Sequence, residues 1–193
     1  MPFRMFKIIP NVIKVKYIFF FIRLLLVKLK LKDQLKLANF NLAIEKGVIL
    51  ISDAGSVVSF GGRGYISRLT NIECYEGALL SIGKEIFINK NCSLVARYGL
   101  IIGDYCQFGP NVCIYDHNHE FKKPGLIKDL GYYGKPIVIG DNVWVGAGCF
   151  ISGGVVIGDN VVIGSNTVVT KDVPANTVIY AEQKIKNRSF NKC

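Results

Sequence analysis

The chain is poor in the residues from which most chemical sites are made. It holds two histidines, one tryptophan and two methionines in 193 residues. Its six cysteines, at 74, 92, 106, 113, 149 and 193, form no CxxC pair. That spacing fits neither a zinc knuckle nor a disulfide framework. Cys92, Cys106, Cys113 and Cys149 lie among apolar or small neighbours and read as small buried hydrophobes in a reducing compartment. Acidic residues are missing from the first 32 positions, which carry Arg4, Lys7, Lys14, Lys16, Arg23, Lys28, Lys30 and Lys32. This segment supplies +8 of the net charge of +10, so the remainder is close to neutral and no nucleic-acid footprint is expected on it.

An uninterrupted spanning helix is lacking as well. The most apolar stretch, "KYIFFFIRLLLVKLKLK" at 16–32, is cut by Arg23, Lys28, Lys30 and Lys32. A span needs about twenty mostly apolar residues. No small-residue cleavage site follows, which argues against a signal peptide. Two readings of residues 1–37 stand side by side. One is a basic, apolar segment resting on an anionic membrane surface. The other is a helix and strand capping the domain that follows, with the alternation in "VKLKLK" pointing to the strand.

What the chain has in abundance is glycine, 20 residues, and a hydrophobic half. From Pro136 onward it reads in sixes: "IGDNVW", "VGAGCF", "ISGGVV", "IGDNVV", "IGSNTV" and "VTKDVP". Ile139, Val145, Ile151, Ile157, Ile163 and Val169 open the blocks. The same phase appears in "IGDYCQ" and "FGPNVC" at 102–113 and, more loosely, from Ile82. Weaker echoes start at Ile44 and Ile72, and "GGRG" at 61–64 breaks the phase. A period of six, with one large aliphatic residue per unit, means a short strand and then a sharp turn. Three units close one triangular coil, aliphatic side chains stack inside, and Gly, Asn and Asp take the corners. This pattern predicts a parallel β-helix.

The phase is lost once, between Ile114 and Ile139. The intervening residues include charges and two prolines, so a coil cannot absorb them and loop 115–136 must be extruded. Long loops in compact domains are usually functional or disordered. This one opens with "YDHNHEF", which contains both histidines, His117 and His119, flanked by Asp116 and Glu120. Two histidines at i, i+2 on a strand also suit a metal, though a third protein ligand is not evident.

The repeats and the loop resemble the hexapeptide-repeat acyltransferases, in particular the maltose and galactoside acetyltransferases and the sugar O-acetyltransferases of capsule and lipopolysaccharide. The resemblance covers residues 70–180 well and 38–70 poorly. It implies an all-β solenoid, a left-handed parallel β-helix over 38–180, with an N-terminal helical cap and a C-terminal basic tail at 181–193. It implies a homotrimer, acetyl-CoA as co-substrate, no metal, and direct acetyl transfer to a sugar hydroxyl of a surface polysaccharide or its precursor. By the match, His119 falls where the family's general base usually lies, with His117 as the alternative or a supporting residue. Asp116, Glu120 or a main-chain carbonyl would fix the tautomer of the base. Asp116, Glu120 and Tyr132 become candidates for contact with the acceptor. "GDNVWVGAG" and "GSNTVVTKDVPANTV" match the family's coenzyme side. They imply Trp144 near the site or coenzyme, main-chain contacts from Ala147, Ser165 and Thr170 to the pantetheine arm, and Lys171 towards the phosphates. The family's closing Gly-x-Pro-Ala is absent here, which leaves Lys184, Lys186 and Arg188 as phosphate candidates. Two other functions are consistent with the repeats: a metal-binding β-helix of the γ-carbonic anhydrase type, and a non-catalytic scaffold. A cytoplasmic setting is expected, peripheral to the membrane if the first segment is an anchor.

Overall fold

The computed structural model describes residues 10–182, with side chains from Tyr17 onward; Lys184, Lys186 and Arg188 lie outside the described residues. Helix α1 (Pro10–Leu31) leads into one solenoid of about six turns. Each turn lays short parallel strands on three faces. Phe60, Ile82, Ile102, Ile139 and Ile157 align on face 1. Ile44, Ile66, Ile88, Phe108, Val145 and Ile163 align on face 2. Leu50, Ile72, Leu94, Ile114, Ile151 and Val169 align on face 3. All of these side chains are buried. Each contributes about 1.5–3 kcal/mol relative to exposure, so the three ladders are the core.

The polar letters of the repeat hold the corners. At the corner between faces 1 and 2, each Asp accepts a backbone N–H from the preceding turn. Lys84 donates to Asp104 at 2.9 Å, Asp104 to Asp141 at 2.7 Å and Asp141 to Asp159 at 2.8 Å. Asn142, Asn160 and Asn176 adopt the left-handed backbone, with φ of 55°, 57° and 60°, which Asn tolerates better than most residues. Their amides also join into a ladder at 2.8 and 3.1 Å. The Gly of "IGDN" is a matter of room: a Cβ on Gly140 would collide with Asp159 of the next turn.

Turn length explains where the six-residue phase is clear and where it fades. Val138 pairs with Val156 and Trp144 with Val162, so these turns hold three hexapeptides. Earlier turns are longer: Val57 pairs with Leu79, Leu80 with Leu100, and Leu100 with Ile137. Nearly all of the extra residues enter at one corner, between face 3 and face 1, at 53–56, 75–78, 97–99 and 116–136, and a single further one enters between faces 1 and 2 of the first turn, between Leu37 and Ile44. "GGRG" at 61–64 is therefore not the interruption it looks like on paper. Phe60 and Ile66 remain six residues apart and both are buried.

The N-terminal segment corrects one expectation. "VKLKLK" is not a strand, because α1 runs through Leu31 and the first strand is Leu35–Leu37, already paired with Val58–Phe60 residues of face 1. Phe20, Leu24 and Leu31, with half-buried Val27, form one helical stripe; Leu24 and Leu31 join the solenoid core, Phe20 meets Tyr65 edge-on, and the helix lies on strands Leu42–Ile44 and Ile49–Ser52. Their spacing of four and seven residues puts them on one side of the helix, and this packing overrides the local alternation. Among the described residues no helix is long and apolar enough to cross a membrane.

Cys74, Cys92, Cys106 and Cys149 are buried free thiols, donating to carbonyls such as Gly109 O at 3.2 Å and Gly140 O at 3.1 Å. Cys113 differs from the expectation: it alternates with inward Ile114, so it stands on the outer side of face 3 and is only half-buried. Burial pushes Cys74, Cys92 and Cys106 up to about 11 and raises Cys149 as well. The thiolate is the reactive form. Treatment of the native protein with iodoacetamide near pH 8, followed by peptide mapping, should leave these four unmodified while Cys113 reacts. Rapid labelling of any of the four without unfolding would contradict the packing described.

Candidate functional site

The loop is anchored at both ends by a short antiparallel hairpin. His117–His119 pairs with Tyr132–Gly134, matching His117 to Gly134 and His119 to Tyr132. Glu120 N–H closes the next rung on Gly131 O at 3.0 Å. The backbone of Asp116 is held in a slot that only glycines leave open. A Cβ on Gly134, in the return strand, or on Gly153, in the next turn, would collide with Asp116 O. The same oxygen accepts Lys135 N–H at 3.0 Å.

Asp116 is fully buried and its carboxylate is saturated with donors. Arg97 N–H donates to both oxygens at 3.0 and 2.9 Å, and Tyr98 and Gly99 N–H donate at 2.7 Å each. These three amides come from the widened corner of the preceding turn. The other oxygen lies 2.9 Å from His117 Nδ1. A carboxylate can only accept, so the contact assigns the proton to Nδ1 and leaves Nε2 with a free lone pair. The His117 side chain is 14% exposed.

His119 stands differently. It is exposed, and its ring packs against Tyr132, centroids 4.7 Å apart. Tyr132 also meets the His117 ring edge-on at 5.3 Å and has the Arg97 guanidinium 3.9 Å from its centroid. Arg97 is further paired with Glu76 and stands 4.9 Å from the Tyr75 ring. Tyr98 Oη donates to Tyr132 O at 3.0 Å, pinning the return strand. Glu120 turns away to Lys122 N–H and Lys123. Asp116, His117, His119 and Tyr132 are thus brought together, and Glu120 is not part of that group. Arg97, Tyr98 and Gly99 were missed from the sequence. Their signal was the eight-residue step from Leu94 to Ile102, at the same corner one turn before the loop.

The coenzyme candidates divide between two corners. Thr170 and Lys171 follow Val169 at the corner that carries His117, with Thr170 in register beyond the pairing of Ile151 with Val169. Ala147 and Ser165 stack at the opposite edge of face 3, where Asn166 N–H donates to Ala147 O at 2.8 Å. Trp144 projects from the outer side of face 2, 56% exposed, and is no part of the core. Among the described residues there is no group of three His, Cys, Asp or Glu side chains placed to hold a metal ion.

A family model for the bacterial transferase hexapeptide (six repeats) matches residues 136–171. The galactoside O-acetyltransferase of Lactococcus lactis is 38% identical over 117 residues, covering 61% of this chain and 56% of that protein. Nodulation protein L of Rhizobium meliloti is 41% identical over 117 residues, covering 58% and 61%. The crystal structure of a maltose O-acetyltransferase from Clostridium difficile is 30% identical, with a TM-score of 0.52, and the match covers 81% of this chain and 73% of that one. This chain belongs to the hexapeptide-repeat acyltransferase family. Its fold is the left-handed parallel β-helix of the hexapeptide-repeat proteins. The N-acyltransferase AntD of Bacillus cereus, solved with dTDP and 3-hydroxybutyryl-CoA, shares that fold at a TM-score of 0.69 and 18% identity, covering 86% of this chain and 88% of the other. The chain spans little more than half the length of the Lactococcus relative.

Proposed function

We propose that this hexapeptide-repeat protein transfers an acetyl group from acetyl-CoA to a sugar hydroxyl, with His117 as the general base. The observation that carries this reading is the buried Asp116 carboxylate bonded to Nδ1 of His117 at the mouth of the extruded loop. A sugar hydroxyl is a poor nucleophile, and its proton must leave as the new bond forms. Nε2 of His117 takes that proton while the hydroxyl oxygen attacks the thioester carbonyl. Collapse of the tetrahedral intermediate breaks the C–S bond, and the imidazolium returns the proton to the departing thiolate. Asp116 fixes the tautomer and stabilises the imidazolium. His119, which the sequence match favoured as the base, lacks such an anchor among the described residues; we assign it, with Tyr132, to the acceptor. Tyr132 is 37% exposed beside His117 and offers aromatic surface to a sugar where Arg97 and His119 leave the ring open.

The coenzyme assignments follow from the two corners. Thr170 and Lys171 at one edge and Ala147 and Ser165 at the other face different directions in a single copy. We therefore assign the pantetheine arm to a cleft between neighbouring copies of a homotrimer, with Lys171 towards the phosphates and Trp144 beside the coenzyme. The names of the galactoside and maltose relatives support a saccharide acceptor, here a bacterial surface polysaccharide or its precursor. A peripheral position at the cytoplasmic membrane face belongs to the same reading. An acetyl-CoA consumption screen against sugars, oligosaccharides, nucleotide sugars and amines tests it. Turnover with sugars supports it, whereas turnover with amines alone or with none refutes it. Trp144→Ala should raise KM for acetyl-CoA while the melting temperature and oligomeric mass stay unchanged, since the indole is outside the core. An unchanged KM would remove Trp144 from the coenzyme site.

A further inference from the structure

Helix α1 has two apolar sides. Its inner stripe, Phe20, Leu24 and Leu31, packs on the solenoid. Its outer side carries Ile18, Phe19, Ile22, Leu25, Leu26 and Leu29, each 39–63% exposed. At 100° per residue these six lie opposite the inner stripe. Cations border the outer face on both flanks, Arg23 and Lys30 along one and Lys28 along the other. Beside the Arg23 flank a groove of about 260 Å³ opens between helix and solenoid, lined by Phe19, Phe20, Arg23, Glu45, Lys46 and Arg68. Lys46 and Arg68 occupy equivalent corner positions of successive turns, two residues beyond the paired Ile44 and Ile66. The one acid in the groove, Glu45, is engaged by Tyr65 Oη and Arg68 N–H.

We propose that α1 seats this protein on a bilayer, with its outer face at the acyl boundary and the phosphate of an anionic lipid in the groove, facing Arg23, Lys46 and Arg68. The proposal rests on the peripheral position given above and extends it to a defined headgroup site that includes solenoid residues. Charge complementarity selects the occupant. A face bordered by cations on both flanks repels a second copy of itself and attracts anionic headgroups. Phe19 belongs to both groove and outer face, so one lipid can place its phosphate on the guanidinium side and its chains along the helix. Long cationic side chains at the flanks suit the water–lipid boundary, because their stems are apolar and their tips are charged. The helix is too short of uninterrupted apolar residues to span, which leaves it to lie in the interface.

Co-sedimentation of the full-length protein with vesicles of phosphatidylcholine, with and without phosphatidylglycerol, tests this. Binding should require phosphatidylglycerol and weaken as salt is raised. The triple variant Arg23→Gln, Lys46→Gln, Arg68→Gln should bind about a hundredfold more weakly, about fivefold per cation. A second variant, Leu25→Gln, Leu26→Gln, Leu29→Gln, changes only exposed positions and should lose binding with circular dichroism and mass unchanged. If the wild type ignores anionic vesicles, the peripheral position fails along with the headgroup site. If it binds but the groove variant binds equally well, the headgroup site alone is overturned. A change of oligomeric mass in the outer-face variant would assign that face to a neighbouring subunit and overturn the lipid assignment. Release of the vesicles by millimolar free glycerol phosphate would make the groove a soluble-phosphate site, with the same consequence. Acetyl transfer to a soluble acceptor should be the same in all three proteins, which keeps a failure here separate from a failure of the proposed reaction.

Discussion

His117→Ala is expected to lower turnover by about two to four orders of magnitude, the usual contribution of a general base, with acetyl-CoA binding close to wild type. The reason is geometric. His117 has its Nδ1 bonded to a buried carboxylate and its other nitrogen free, whereas the ring of His119 is exposed against Tyr132. His119→Ala should therefore act mainly on KM for the acceptor and cost less. Steady-state kinetics of the two variants, with coenzyme affinity from calorimetry, separates the roles. A larger loss of kcat in His119→Ala would return the base to His119. Wild-type rates in both would end the proposal that an imidazole is the base.

Asp116→Asn should produce a comparable loss of kcat, and a loss of stability with it. The carboxylate accepts N–H groups from Arg97, Tyr98 and Gly99 as well as Nδ1–H of His117. An amide has one acceptor oxygen to offer these donors, and its NH2 would face N–H groups. Each buried donor left without a partner costs about 1–3 kcal/mol. The hairpin should loosen, and the imidazole should lose the partner that holds its proton on Nδ1. Replacing the orienting Asp of a catalytic triad by Asn has cost about four orders of magnitude in kcat by selecting the wrong tautomer. Stability and positioning can be told apart. Thermal unfolding reports the first, and kcat measured well below the melting point, at saturating substrates, reports the second. A variant that melts early yet retains kcat would make Asp116 a structural residue only.

Much of this architecture was legible in the chain, and the illegible parts have physical causes. The blocks from Ile139 onward read cleanly because pairs such as Val138 with Val156 close turns of three hexapeptides. Upstream, the stack of Leu50, Ile72 and Leu94 is equally regular in space. It was blurred in sequence by four added residues per turn at one corner. The loop announced itself as a break in phase, and both histidines lay at its head. Which of them is held by a partner was not visible, because the donors that fix Asp116 belong to residues 97–99 of the previous turn. The N-terminal helix was expected, but its end was obscured for another reason: with apolar residues on opposite sides its 3.6-residue period is muted, and the alternation in "VKLKLK" suggested a strand where α1 continues to Leu31.

Beyond the first turn, all of the widening falls on one edge of the triangular column. From Phe60 onward the other two edges keep strict count; Asp104, Asp141 and Asp159 each reach a specific N–H of the adjoining turn, and a single added residue there would break that match. The third edge has already absorbed four residues, two, and then a whole hairpin without altering the pairing on any face. A segment there can therefore be lengthened or trimmed, beside the acceptor site proposed above, while the column beneath is left in register. For the same reason a foreign peptide is best spliced between 122 and 129, and it should be poorly tolerated at 140–142. The chain thus separates the part that must be conserved for folding from the part that is free to diversify, and the boundary between them runs along a line parallel to the axis of the coil.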